Sequence, residues 1–315
     1  MSPSEIAALA ARIKENIARV IVGRDEMLTL MLAAVVARGH ILLEDVPGTG
    51  KTVTARSLAR SMEAAFSRIQ FTPDLLPSDI TGTRVYQPDQ GEFRFHKGPV
   101  FANILLADEI NRATPRTQSA LLECMEERQV TEGGVTYSLS APFLVIATQN
   151  PIEIQGTFPL PEAQLDRFLM KLTPGYPDEN EALAILDRFI AAEPLAELKP
   201  VCGCADLIAA QQALPACEVE SSVRRYIAAL CEHTRKDDRV QLGVSPRGML
   251  ALLRAAQALA LIQGRAFVTP DDVQRLAVPV LAHRVIPKGY AGRGDIAGQV
   301  VRDAVESVPA PTETR

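Results

Sequence analysis

Apolar residues recur at helical spacing near the start of the chain. Ile6, Leu9, Ala10, Ile13 and Ile17 lie three or four positions apart, which predicts an amphipathic helix over residues 5–20. Ile21-Val22-Gly23-Arg24-Asp25 interrupts it, and a second helix is expected over residues 26–38. From His40 to Leu172 the texture changes: short, almost wholly apolar runs alternate with helical stretches, as in a parallel sheet covered on both faces. The expected strands are residues 41–44, 66–70, 104–108, 143–148 and 168–172, with a helix over 53–62. Two segments break that alternation. Gln90-Gly91 sits between Val85-Tyr86 and Phe93-Arg94-Phe95, and Gly133-Gly134 between Val130-Thr131 and Val135-Thr136-Tyr137, so each reads as a hairpin projecting from the sheet. After Pro174-Gly175-Tyr176-Pro177, alanine- and leucine-rich helical patterns run from Glu179 to about Ala304. Thr269-Pro270-Asp271-Asp272 marks a helix start, with a capping hydroxyl, proline in the first turn and acids at the positive end. An α/β unit over residues 1–176 followed by a smaller helical unit over 177–315 is therefore expected.

The 315 residues suffice for two domains or one large one, and 47% hydrophobic with 23% charged residues is ordinary for a soluble globular chain. A net charge of −5 gives no global pull toward nucleic acid or anionic membrane. No run reaches the roughly 18 apolar residues of a membrane span. Met1-Ser2-Pro3-Ser4-Glu5 lacks a basic segment leading into an apolar one, so no signal peptide is expected. The five cysteines show neither disulfide nor zinc spacing; reduced structural thiols and a cytoplasmic location are the expectation.

The chemistry concentrates at strand ends. The first strand runs into Gly48-Thr49-Gly50-Lys51-Thr52 and then into a helix. Such a turn aims helix N–H groups and the positive dipole end at an anion, and its glycines let backbone approach phosphate oxygens. Pro47, Gly48, Thr49, Gly50, Lys51, Thr52 and Val53 are the expected nucleotide contacts. In this pattern the lysine reaches the β- and γ-phosphates, and the threonine hydroxyl ligates Mg²⁺. Asp45 stands where the full G-x-x-x-x-G-K-[ST] pattern has its first glycine. The third expected strand ends in Asp108-Glu109, at the edge where α/β sheets bind ligands. Asp108 is assigned to the Mg²⁺ water shell and Glu109 to polarising the water that attacks the γ-phosphate. The fourth ends in Thr148-Gln149-Asn150-Pro151, where Asn150 either bonds that water or the γ-phosphate, or simply shapes the turn before proline.

These three strands, their order and their polar ends resemble the AAA+ ATPases. Leu160-Pro161-Glu162-Ala163-Gln164-Leu165-Asp166-Arg167-Phe168 is similar to the segment carrying that superfamily's arginine finger. Gly243-Val244-Ser245-Pro246-Arg247 is similar to its sensor 2 motif, and Ile21-Val22-Gly23 to the stretch that contacts adenine. The resemblance implies that Arg167 reaches a neighbouring subunit's γ-phosphate. It implies that Arg247 contacts nucleotide from the lid, coupling lid position to nucleotide state. A surface ion pair is the alternative for either arginine; Arg112 either shares the role in trans or is a solvated residue at a helix start. Asp74 and Asp79 read as helix or turn caps.

Longer motifs narrow the resemblance to the MoxR family. They are Glu44-Asp45-Val46-Pro47-Gly48, the stretch from Phe71 to Gly82, Asp108-Glu109-Ile110-Asn111-Arg112-Ala113, Gln118-Ser119-Ala120-Leu121-Leu122-Glu123, and Ala147 to Glu153. It covers about Ile17 to Leu281 and implies a five-stranded parallel AAA+ core with an all-α lid. The hairpins become a helix-2 insert and a pre-sensor 1 hairpin. It further implies Mg²⁺-dependent ATP hydrolysis, a homo-hexameric ring, and chaperone-like remodelling or metal-cofactor maturation of a client. A von Willebrand factor A domain protein is the implied partner, and lid rotation is expected to move the hairpins. Two other readings are a nucleic-acid motor and a non-catalytic nucleotide-gated scaffold. The hairpin from Val130 to Leu139 carries Glu132 and no Lys or Arg, which weighs against the first, and the intact Glu109 weighs against the second.

Overall fold

The computed structural model of the protein describes residues 1–44, 48–150, 156–191, 194–289 and 295–312. Asp45, Val46 and Pro47, and likewise Pro151, Ile152 and Glu153, lie outside the described residues.

Among the described residues nine strands precede the lid: β1 (Ile41–Glu44), β2 (Phe66–Gln70), β3 (Gly82–Gln87), β4 (Glu92–Lys97), β5 (Ile104–Asp108), β6 (Gln129–Glu132), β7 (Val135–Ser138), β8 (Leu144–Gln149) and β9 (Met170–Leu172). Five of them form one parallel sheet in the order β2-β5-β8-β1-β9. The central strands are buried nearly throughout, which is why they read as continuous apolar runs. Successive side chains still leave by opposite faces. Ile41, Leu43, Ile104, Leu106, Leu144 and Ile146 enter one core, with the two N-terminal helices, the helix Lys51–Ser61 and the lid. Leu42, Leu105, Ala107, Val145 and Ala147 enter a second core against the helix Pro115–Glu127. The edge strand β2 alternates instead, burying Ile69 and exposing Arg68 and Gln70.

Both expected hairpins form, β3 with β4 and β6 with β7, antiparallel. Gly133 and Gly134 take positive φ of 57° and 78°, the two-residue turn whose twist matches that of the strands. Phe95 stacks on Tyr137 with ring centroids 4.3 Å apart, so the hairpins lean on each other.

The chain begins with helix Pro3–Ala18, capped by Ser2 and Glu5, followed by Asp25–Val36. The lid is built from Cys204–Ala213, Ser221–Lys236, Pro246–Ile262, Pro270–Leu281 and Ile296–Ser307. Asp272 caps the start at Thr269, accepting from its N–H at 2.8 Å and its hydroxyl at 3.0 Å. The lid also carries a short antiparallel ribbon, Val240–Leu242 with Ile286–Pro287, which no periodicity announced. Strand β9 starts two residues later than expected, because Phe168 and Leu169 are occupied by lid side chains described below. All five cysteines are free, and burial pushes Cys124 to about 12 and Cys202, Cys217 and Cys231 to about 11. Among the described residues no helix is long and apolar enough to cross a membrane.

Candidate functional site

Parallel pairing brings the C-terminal ends of β1, β8, β5 and β2 to one edge. Glu44 lies level with Gln149, and Gln70 level with Asp108. The loop after β1, the Asp108-Glu109 pair and Asn150 thus share that edge. Glu44 is tied at 2.8 Å to Lys171 of β9, which fixes the strand end from which the loop departs.

The loop fits a phosphate. Gly48 and Gly50 have φ of +86° and +83°, strained for any other residue, and a Cβ built on either projects into open space. Helix Lys51–Ser61 starts with no side-chain cap hydrogen bond and no acid in its first turn, a terminus whose dipole suits an anion. Thr52 and Asp108 supply hydroxyl and carboxylate oxygens, the donor set that suits Mg²⁺.

Thr148 locks the acidic pair into register: its hydroxyl donates to Asp108 Oδ1 at 2.6 Å and accepts from the Glu109 N–H at 2.8 Å. Glu109 sits in the left-handed region at φ 56°, ψ 50°, costing about 1–2 kcal/mol. Both acids meet cations. Arg68 directs Nη2 and Nε to Asp108 Oδ2 at 2.7 and 3.2 Å. Arg112 lies 3.0 Å from Glu109 Oε2, which also accepts from Gln70 Nε2 at 2.8 Å. Arg68 and Gln70 reach this site because they lie two apart on an edge strand and leave by the same face.

A cavity of about 370 Å³ opens beside this edge, between Gly23, Met27 and Leu30, the end of β9 at Leu172, and Val278 and Pro279 of the lid. Its size and mostly apolar walls suit a purine ring. Of the expected adenine-contacting stretch, Gly23 lines this cavity, whereas Ile21 packs on the core.

Arg167, expected at a neighbouring subunit's nucleotide, and Arg247, expected to contact nucleotide from the lid, lie together. Arg167 and Arg247 both approach Glu126 Oε2, Arg167 at 4.0 Å and Arg247 in direct contact. They line a cleft of about 250 Å³ with Gly39 and His40, which precede β1, and Leu169, which precedes β9. That is the strand-start edge, across the sheet from Gly48 to Thr52. Arg38, Arg128, Arg254 and Arg284 line the same cleft, against the carboxylates of Glu126 and Asp166. Burial and the neighbouring Arg38 lower the Arg128 pKa, the mark of a site crowded with positive charge.

Residues 40–170 match the sequence family described as ATPase family associated with various cellular activities (AAA), and residues 232–304 match the AAA lid domain. A candidate ATPase from Cytophaga hutchinsonii, solved at 2.00 Å, superposes with a TM-score of 0.91 at 37% identity, over 98% of this chain and 97% of that one. Chaperone MoxR1 of Mycobacterium tuberculosis is 43% identical over 96% of this chain and 82% of its own length. The chain belongs to the MoxR family of AAA+ ATPases. Bacillus subtilis YeaC, an uncharacterized protein, is 49% identical over 98% of this chain and 97% of its own length.

The MoxR-type motifs acquire physical roles in the fold. Gln118 is fully buried, and its amide donates to the carbonyls of Ile110, Ala113 and Phe158 at 3.2, 3.1 and 2.9 Å, shaping the turn that follows Glu109. Asp79 caps Leu76 at 2.8 Å, as its position before the first hairpin suggested. Sequence reading missed Arg68, Gln70, Glu126 and Arg284. The only available signal was the placing of Arg68 and Gln70 two apart on a strand too polar to be central.

Proposed function

We propose that the protein is a Mg²⁺-dependent ATP hydrolase whose catalytic site is completed between neighbouring copies, and that it uses turnover to remodel a partner protein. One observation carries the reading. The phosphate loop with its acids lies on one edge of the sheet, and Arg167 and Arg247 lie together on the opposite edge, held on Glu126. Neither arginine is near its own phosphate loop, but a head-to-tail neighbour would present both to it. This differs from a lid arginine acting on its own subunit's nucleotide.

Within one copy, Lys51 and the N–H groups following Gly50 bind the phosphates, and Thr52 and Asp108 would hold the metal. Mg²⁺, when bound there, neutralises charge on the β- and γ-phosphate oxygens. Glu109 polarises the attacking water, and Asn150, at the end of the adjacent strand, orients it. The neighbour's Arg167 and Arg247 exchange Glu126 for the γ-phosphate and stabilise charge developing there. A heterologous contact of this kind closes into a ring, and six copies is the number family membership supports.

The hairpins are the client-facing parts of this reading. Tyr86 and Phe93 are about half exposed at the tip of β3–β4, next to exposed Val85, and Val135 is exposed on the second hairpin. A von Willebrand factor A domain protein and a client protein, met in the cytoplasm, are the partners that membership in a family with chaperone-named relatives supports.

The test mixes two dead variants, Lys51→Ala and Arg167→Ala. If the finger acts in trans, mixed assemblies recover ATP turnover; absence of recovery with mixing verified by native mass spectrometry would overturn the reading.

A further inference from the structure

Arg284, outside the nucleotide site, is among the most heavily hydrogen-bonded side chains of the described residues. Its side chain is 2% exposed, and it comes from the lid, just past helix Pro270–Leu281. Nε donates to Asp166 Oδ1 at 2.6 Å, Nη2 to the carbonyls of Phe168 at 2.6 Å and Asp166 at 3.1 Å, and Nη1 to the carbonyls of Leu169 at 3.2 Å and Val280. Burial pushes the guanidinium pKa down and Asp166 opposes that shift. A guanidinium this enclosed is tolerated only when its donors are satisfied.

The distribution of its partners is informative. Arg284 takes the backbone on both sides of Arg167 and leaves that side chain, 31% exposed, projecting into the cleft. Two further lid residues grip the same segment. Ser245 donates to Asp166 Oδ2 at 3.2 Å, and the His283 ring meets the Phe168 carbonyl at 3.1 Å. Ser245 also caps the helix that begins at Pro246, accepting from the Gly248 N–H at 3.1 Å, and Arg247 is the second residue of that helix. A Cβ at Gly248 would lie 2.7 Å from both Arg284 Cδ and Val244 Cγ1.

We propose that Arg284 is the positioning residue that fixes Arg167 relative to Arg247, so that lid and finger meet a neighbour's nucleotide as one rigid unit. The inference rests on the trans reading above. Movement of the lid against the core then re-aims the finger directly, and the lid of one copy becomes the reporter of the next copy's nucleotide.

The test uses the full-length protein carrying Asp166→Leu with Arg284→Met, an apolar replacement of the buried pair that leaves no unpaired charge. Gly248→Ala, which pushes on Arg284 and on Val244 without removing either, is measured in parallel beside Val244→Ala as its control, and carries the test if the double variant fails to fold. We expect kcat to fall about 100-fold with KM for ATP unchanged, the effect of misplacing one catalytic group by about an ångström. Mixed with Lys51→Ala, whose finger is intact, the variant should recover turnover; mixed with Arg167→Ala it should not. A general folding defect would block both mixtures equally. Parental turnover of the folded variants alone, recovery with Arg167→Ala, or no recovery with Lys51→Ala despite native melting and assembly would each overturn the role of Arg284. Failure of Arg167→Ala itself to recover with Lys51→Ala would instead overturn the trans reading.

Discussion

Replacing Arg68 with Met should tighten binding of a divalent cation. Arg68 presents two nitrogens to Asp108 Oδ2, so a hydrated Mg²⁺ bound on that carboxylate would compete with the guanidinium. Two unit charges 4 Å apart at an effective dielectric of 20 interact by about 4 kcal/mol. The Arg68 side chain is 42% exposed and Asp108 14%, so solvent takes up most of that, and a net value of about 1 kcal/mol is appropriate. Removing a competitor of that strength raises affinity roughly fivefold. Methionine keeps the apolar stem, and β2 pairs with β5 through its backbone, so the edge strand should survive. Titration of Mn²⁺ by electron paramagnetic resonance, with ADP saturating, reads the affinity without hydrolysis. Unchanged or weaker Mn²⁺ binding would refute the competition and make Arg68 a support for Asp108.

Glu109→Gln should leave ATP binding and assembly intact while turnover falls by at least about 100-fold, measured by phosphate release beside fluorescent-nucleotide binding; parental turnover would remove Glu109 from its role. The His40 ring accepts from the Val145 N–H at 3.0 Å through Nδ1, so it is neutral, with Nε2 donating to the Met125 carbonyl at 3.1 Å. Burial lowers its pKa to about 3, and that of His283 well below its ordinary value. Since these folded values lie below the unfolded one near 6.5, acid favours unfolding. Stability should fall as pH drops below about 6.5 by up to roughly 1.4 kcal/mol per pH unit per histidine, for His40 down to about pH 3. Urea midpoints against pH test this, with His40→Gln giving a shallower slope; an identical slope would count against it. Phe95→Leu and Tyr137→Leu in a double-mutant cycle should show a coupling of about 0.5–1.5 kcal/mol from the ring stack, and zero coupling would mean the hairpins move independently.

The sequence by itself determined the sheet, both hairpins and the sheet edge at which the glycine loop and the polar strand ends gather. Strands buried on two faces must be apolar throughout, and glycines at positive φ leave local signatures, so Ile41–Glu44, Gly48, Gly50 and Gly133-Gly134 were legible from neighbours along the chain. Asp108, Glu109 and Asn150 were legible because each ends such a strand. What only the tertiary structure decided is which distant groups share an edge. Arg247 opens a lid helix whose sequence does not reveal which edge of the sheet it faces, and only its contact with Glu126 beside Arg167 puts it on the far side. Arg68 and Gln70 needed the strand order to put them against Asp108 and Glu109. Arg284 is separated from Asp166 by more than a hundred positions, and its role rests on burial and five carbonyl or carboxylate partners that no local pattern encodes. Local propensity and periodicity report neighbours within a few residues; the pairing of charges across strands and domains is set by packing, where each choice depends on all the others.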